Sequence, residues 1–325
     1  MKLFRISILL LCISFFVGCI GQRDEYCPES SLILEFVYTD QNQKDIFHDR
    51  INKVDVFVFD SSTERLVLKR TVNETELLAF QGVELPLPAG KYRVVCWANA
   101  HNDRHAFSNA ELGSHINDIR LGHTLSSGSY QGASSLYYAP QKLLNETAKV
   151  FKVTVPKFGS YTASIPFSRA HIKIEVYVKG FEDGNANEAQ RNFPMVEVAG
   201  VSPHYDFSKI TLGDPISYRS ATTPKVVTKT RIEAGETVSF ADFYTPLFQK
   251  DTSQEVYIRR PSDNSIVTTV NLMQFIANPD NGITILDTNM PDMVIPIYIE
   301  YGDNKDVAVT VTVPKFEVKP SIPEL

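Results

Sequence analysis

The sequence predicts an all-β protein, two tandem β-sandwich domains behind an export segment. Three observations predict it. Short runs alternate apolar and polar residues along most of the chain, the period of half-buried strands. Gly, Pro, Asn and Asp punctuate those runs, as turns require. Almost no stretch holds the 3.6-residue period of a packed helix. The 307 residues after position 18 are long for one sandwich and comfortable for two.

The first element is not a strand. Lys2 and Arg5 precede an apolar run that ends at Val17-Gly18-Cys19, with Gln22-Arg23-Asp24-Glu25 following. A basic start, a short apolar middle and a small residue at the exit make a secretory signal peptide over residues 1–18. The ending resembles the lipobox of bacterial lipoproteins, which implies acylation of Cys19 and a lipid anchor in a membrane. Residues 19–30, polar and holding Pro28, read as a tether. Gln22-Arg23-Asp24-Glu25 is either a short acidic signal for surface exposure or plain solvated linker.

Losing Lys2 and Arg5 moves the formal charge from −6 to −8, which gives no electrostatic reason to bind nucleic acid. Cys12 leaves with the signal. Cys27 and Cys96 remain, in a compartment that allows a disulfide; they are either bridged or free.

Strands follow in order. Leu32, Leu34, Phe36 and Tyr38 form one face of the first, although Ile33 and Val37 are also apolar. Val54 to Asp60 is the second, with Val54, Val56 and Val58 opposite Asp55, Phe57 and Phe59. Asp60-Ser61-Ser62 turns it into a hairpin with 65–71. Leu85 to Gly90 is a turn that feeds Lys91 to Asn99, the strand with the single Trp, Trp97. Residues 100–145 read as a long excursion with one short helix near 109–119. Strands resume at 148–155 and 161–167, and His171 to Val178 is the cleanest amphipathic run. Later strands fall near 195–201, 224–232, 236–243, 254–260, 265–271, 293–301 and 305–313, with one helical turn at 271–277. This places an N-terminal domain at 31–163 and a C-terminal domain at 164–325.

No catalytic set appears, and no cofactor is implied. His101 and His105 would share a helix face and could hold a metal, but the polar run around them suits a solvated turn. No Gly-x-Ser-x-Gly elbow and no phosphate loop are present. Asn73-Glu74-Thr75 and Asn145-Glu146-Thr147 match a glycosylation sequon that a bacterial lipoprotein leaves empty. Trp97 suits a core position better than a sugar platform.

Four stretches taken together resemble a known family: the lipobox with Cys27-Pro28, Asp45-x-Phe47 before Val54 to Asp60, Leu87-Pro88-Ala89-Gly90-Lys91-Tyr92 running into Val94 to Asn99, and Ala308 to Phe316. The chain resembles the FimB-type fimbrial anchor lipoproteins, the membrane-side subunits of type V pili in the fimbrillin-associated anchor family. The resemblance implies transthyretin-like sandwich domains, attachment to the outer membrane, fimbrial (pilin) subunits as partners, and assembly by donated strands. It implies that an anchor keeps the strand of Leu32, Leu34, Phe36 and Tyr38. The C-terminal end carries Val309, Val311 and Val313 on one face, with Phe316 and Val318 between later prolines. That end either docks on its own domain or is donated to a neighbour. Two alternative functions stand beside the anchor: a stalk or tip subunit matured by a cut after Arg50, and a glycan-binding surface lipoprotein using Trp97.

Overall fold

The computed structural model describes residues 30–40, 42–123, 135–139, 151–226, 237–248, 253–281, 294–302 and 309–312. The first part of the chain supplies β1 (Ser31–Val37), the single-turn α1 (Phe47–Arg50), β2 (Val54–Asp60), β3 (Leu66–Val72), α2 (Glu74–Ala79), β4 (Gly82–Pro86), β5 (Gly90–Ala98), β6 (His105–Ser108), β7 (Arg120–His123), β8 (Tyr137–Ala139), β9 (Phe151–Val155), β10 (Ser160–Pro166) and β11 (Ser168–Arg169). One sheet has the order β10-β1-β4 and the other β11-β8-β5-β2-β3, with β9 also on β5. Leu32, Leu34 and Phe36 of the first sheet meet Val54, Val56, Val58, Val94 and Cys96 of the second. Alternation therefore sets the face: the even-numbered residues of β1 point inward, while Ile33 and Val37 are only partly covered.

Turn chemistry fixes the connections. The Asp60 carboxylate accepts from the backbone and hydroxyls of Ser62 and Thr63, which holds its pKa down at about 2. Asn73 and Glu76 form a reciprocal capping box on α2, so the sequon asparagine is a helix cap here. Asp55 sits on β2, between β3 and β5, where its carboxylate accepts from the Thr71 hydroxyl and pairs with Lys53 Nζ at 3.0 Å.

The second part supplies β12 (Ile172–Lys179), β13 (Met195–Val201), β14 (His204–Asp206), β15 (Thr211–Leu212), β16 (Ile216–Ala221), β17 (Thr223–Val226), β18 (Thr237–Thr245), β19 (Glu255–Arg259), β20 (Ile266–Asn271), α3 (Leu272–Ala277), β21 (Val294–Tyr301) and β22 (Val309–Thr312). Its sheets run β17-β18-β12-β21-β22 and β16-β13-β19-β20. Ile172, Ile174, Val176, Ile295 and Ile297 pack on Val196, Val198, Val256 and Ile258. Asn271 caps α3, the helical turn expected there. The first core continues through Ile165 and Phe167, and the second begins at Ile172.

The two parts share a plan. In each, the opening strand lies inside its sheet, parallel to the last long strand: β1 beside β10, and β12 beside β21. Each opening strand is antiparallel to its other neighbour, β4 or β18. The expected helix near 109–119 is absent. Residues 109–119 form turns, and β6 and β7 flank them in a fifth sheet of order β15-β14-β7-β6. That sheet joins both parts of the chain. It exists because β2 and β5 carry apolar residues on both faces. Phe57, Phe59, Val95 and Trp97 need a cover, and Ile119, Leu121, Tyr205 and Phe207 provide it.

Candidate functional site: the strand slots and the junction

A β protein can pair with another chain only where a sheet edge or an unfilled strand position is open. In the first sandwich the inner position between β10 and β4 is held by the chain's own β1. Its register runs Leu32↔Tyr161 and Leu34↔Ala163 on one side, and Leu32↔Leu85 and Leu34↔Val83 on the other. Leu32, Leu34, Phe36 and Tyr38 are all buried, and the Phe36 ring meets Phe47 and Phe167. Gly82 lets β4 approach closely, since a Cβ there would stand 2.2 Å from the carbonyl oxygen of Leu34.

The bond after Arg50 is poorly placed for a protease. Arg50 is exposed, but it ends α1, and its carbonyl accepts from the Asn99 amide at 2.8 Å. The same side chain accepts from Asn52 N–H, bracketing the bond. Phe47 and Ile51 on either side are buried in the first core. Proteases read extended chain, and this segment is a helical turn with pinned flanks.

At the other end, β22 pairs antiparallel with β21, Val309 opposite Tyr301 and Val311 opposite Ile299. It forms the outer strand of its sheet. Val313, Phe316 and Val318 lie outside the described residues, as do Cys19 and Cys27. Cys96 is wholly buried in the first core and bonds no other cysteine among the described residues; burial pushes its thiol pKa up.

Sequence reasoning missed the junction between the two parts. Tyr205 and Phe207 of the β14 turn reach across to the first part. Tyr205 packs tilted against Trp97 with ring centroids 5.2 Å apart, and Phe207 meets Phe57 edge-on at 4.8 Å. The Tyr205 hydroxyl donates to the Ala170 carbonyl at 2.7 Å and accepts from Leu247 N–H at 2.6 Å. The Tyr138 hydroxyl donates to the Phe207 carbonyl, and Lys209 Nζ donates to Ser168 Oγ, both at 2.8 Å. His105 and His123 stack edge-on at 4.7 Å, and His123 Nδ1 meets the Tyr218 hydroxyl at 2.7 Å. Burial drives the pKa of both imidazoles down, that of His105 to about 4. His105 therefore opens β6 and is not on a helix with His101. Trp97 is 0% exposed, which overturns the sugar platform. The one signal for all this was the double apolar face of 54–60.

Residues 23–320 match the family of fimbrillin-A associated anchor proteins Mfa1 and Mfa2. The chain belongs to that family, which gives it a structural, fimbria-associated role at the cell surface or envelope. The fold is shared with solved structures of low identity. The fimbrial anchor protein Mfa2 from Porphyromonas gingivalis is 14% identical, with TM-score 0.59, over 88% of this chain and 95% of that one. A candidate adhesin from Bacteroides ovatus is 16% identical, with TM-score 0.63, over 88% and 96%. A candidate polysaccharide-binding protein from Bacteroides thetaiotaomicron is 17% identical, with TM-score 0.62, over 87% and 96%. No curated protein matches the chain.

Proposed function

We propose that this chain is an outer-membrane lipoprotein, held by acylated Cys19, that anchors a fimbria on the cell surface and helps to assemble it. The observation that carries the reading is β1. It is buried, paired on both sides, and flanked by an Arg50–Ile51 bond fixed in a helical turn. A subunit that keeps this strand has no free groove in its first sandwich. It joins a pilin by giving a strand from its C-terminal end, beyond the edge strand β22. The same geometry argues against a stalk or tip subunit matured after Arg50.

The test compares two variants in cells making the fimbria. Cys19→Ala releases the protein from the membrane fraction with its fold intact. Deleting residues 315–325 leaves a folded, membrane-bound protein that sheds fimbriae into the medium. Wild-type retention of fimbriae by the truncated strain would move attachment to another surface. A mature N-terminus at Ile51 would restore the cleaved-subunit reading.

A further inference from the structure

We propose that the end of the first sandwich where the chain enters rests on the bilayer, with Phe158 and Tyr161 seated in the lipid interface and Leu112 at the margin. The proposal rests on the acylation of Cys19 above. Ser30 opens the described chain, and it and Ser31 are tied down at three points. Its hydroxyl donates to the Lys157 carbonyl at 2.8 Å, and its carbonyl accepts from Leu87 N–H at 3.2 Å. Ser31 N–H donates to the Gly159 carbonyl at 3.2 Å. The 156–159 and 86–90 turns therefore bracket the point of entry. Ser30 lies only eleven positions after Cys19, a reach of about 40 Å at full extension. A lipid on Cys19 keeps this end of the molecule nearest the membrane.

That end also carries side chains suited to an interface. Phe158 is 54% exposed and Tyr161 41% exposed, on either side of Gly159. Gly159 turns the chain at φ +79°, where a side chain would be strained. Lys157 Nζ lies 5.3 Å from the Phe158 ring centroid, so the pair offers an apolar ring with a cation beside it. Leu112 is 71% exposed beside Gly113, whose N–H bonds the Leu66 carbonyl at the same end of the second sheet. Gly90 pairs with Val155 there, and Asp60 with Tyr92, so the turns share one end.

Exposed Lys91 and Arg65 add cations. The nearby acids are largely occupied: Asp60 binds its own turn, Glu64 pairs with Arg93, and Glu84 accepts from Ser31. Glu111 alone is exposed beside Leu112. Aromatic rings with long basic stems settle at the headgroup level, where the ring is dehydrated and the cation stays in water.

The test takes the chain from residue 19 with Cys27→Ser and couples the Cys19 thiol to a maleimide lipid. The vesicles contain phosphatidylethanolamine and phosphatidylglycerol with brominated acyl chains. Buried Cys96 does not compete, and buried Trp97 gives an unquenched baseline. Phe158→Trp adds an indole at the tip, and Ile266→Trp adds one on β20 as a control, where Ile266 is exposed. Brominated lipid removes about half or more of the emission added at 158 and leaves that at 266. Unquenched emission at 158 overturns the proposal, and so does equal quenching at both positions. Loss of fimbrial-subunit binding by Phe158→Asp, without quenching at 158, assigns the tip to a protein partner instead. Chemical coupling makes this result independent of what the cell attaches. Native acylation is read separately from the mass of the mature N-terminus.

Discussion

At the scale of the residue, the junction histidines set a pH dependence. His105 and His123 sit neutral where β6 and β7 meet β14 and β16, with His101, Asp103 and Arg104 beside His105 and His204 beside His123. His123 binds the Tyr218 hydroxyl, and a Cβ on Gly122 would stand only 2.5 Å from His204 Nδ1, so the packing has no slack. In the unfolded chain an imidazole takes its proton near 6.5, whereas His105 in the fold waits until about 4. Its stabilisation is complete above about 6.5 and is lost as pH falls toward about 4. His171, also buried and depressed to about 3 with Nδ1 on the Leu136 carbonyl, adds to the same slope. His105→Phe keeps a ring against His123 and removes one titrating group. It is expected to flatten the fall in unfolding free energy between pH 6.5 and 4 by about 1–3 kcal/mol. Urea melts across that range read the change, and an unaltered slope would show that His105 is not the group that titrates.

At the scale of the element, β1 is the piece on which the anchor reading turns, and it is open to direct attack. Phe36 is buried between Phe47 and Phe167, so Phe36→Ala costs about 3–5 kcal/mol, seen as a lower denaturation midpoint. A trypsin-like protease leaves the Arg50–Ile51 bond of the wild type intact under native conditions. It cuts there in Phe36→Asp, where the core behind α1 opens; rapid native cutting of the wild type would count against a retained strand. This element was legible beforehand. The apolar residues recurring at every second position from Leu32 to Tyr38 show a strand, and burial of its even-numbered residues then resolves the choice of face that Ile33 and Val37 left open. The Lys91 to Asn99 strand was legible from its apolar run behind the Pro88-Ala89-Gly90 turn. The strands at 105–108, 120–123, 204–206 and 211–212 were not. They are short, carry His, Gly and Asp, and owe their pairing to partners far along the chain, so no local period marks them. The β14 aromatics, Tyr205 and Phe207, were readable only as two apolar residues in a polar stretch.

At the scale of the whole molecule, the fifth sheet and its aromatic contacts tie the two sandwiches together. Packing between domains of one chain is commonly polar and loose, which leaves relative motion as the default. This junction instead has a core of its own, with Trp97, Tyr138, Tyr205 and Phe207 all buried, and hydroxyls of Tyr138 and Tyr205 bonded across it. Under the anchor proposal, load runs between a lipid tether at one end and a strand given from the other, and a joint that does not flex serves it. Tyr205→Ala with Phe207→Ala removes both aromatic plugs while leaving each sandwich core untouched, since neither residue belongs to those clusters. The wild type is expected to unfold in one calorimetric transition, and the double variant in two, because coupling between the halves depends on the shared sheet. In cells the double variant still reaches the membrane, yet fimbriae shear off at lower force than from wild type. A single transition in the double variant, with unchanged shear resistance, would place the coupling in the backbone pairing of β7 with β14 and leave the aromatic plugs without that role.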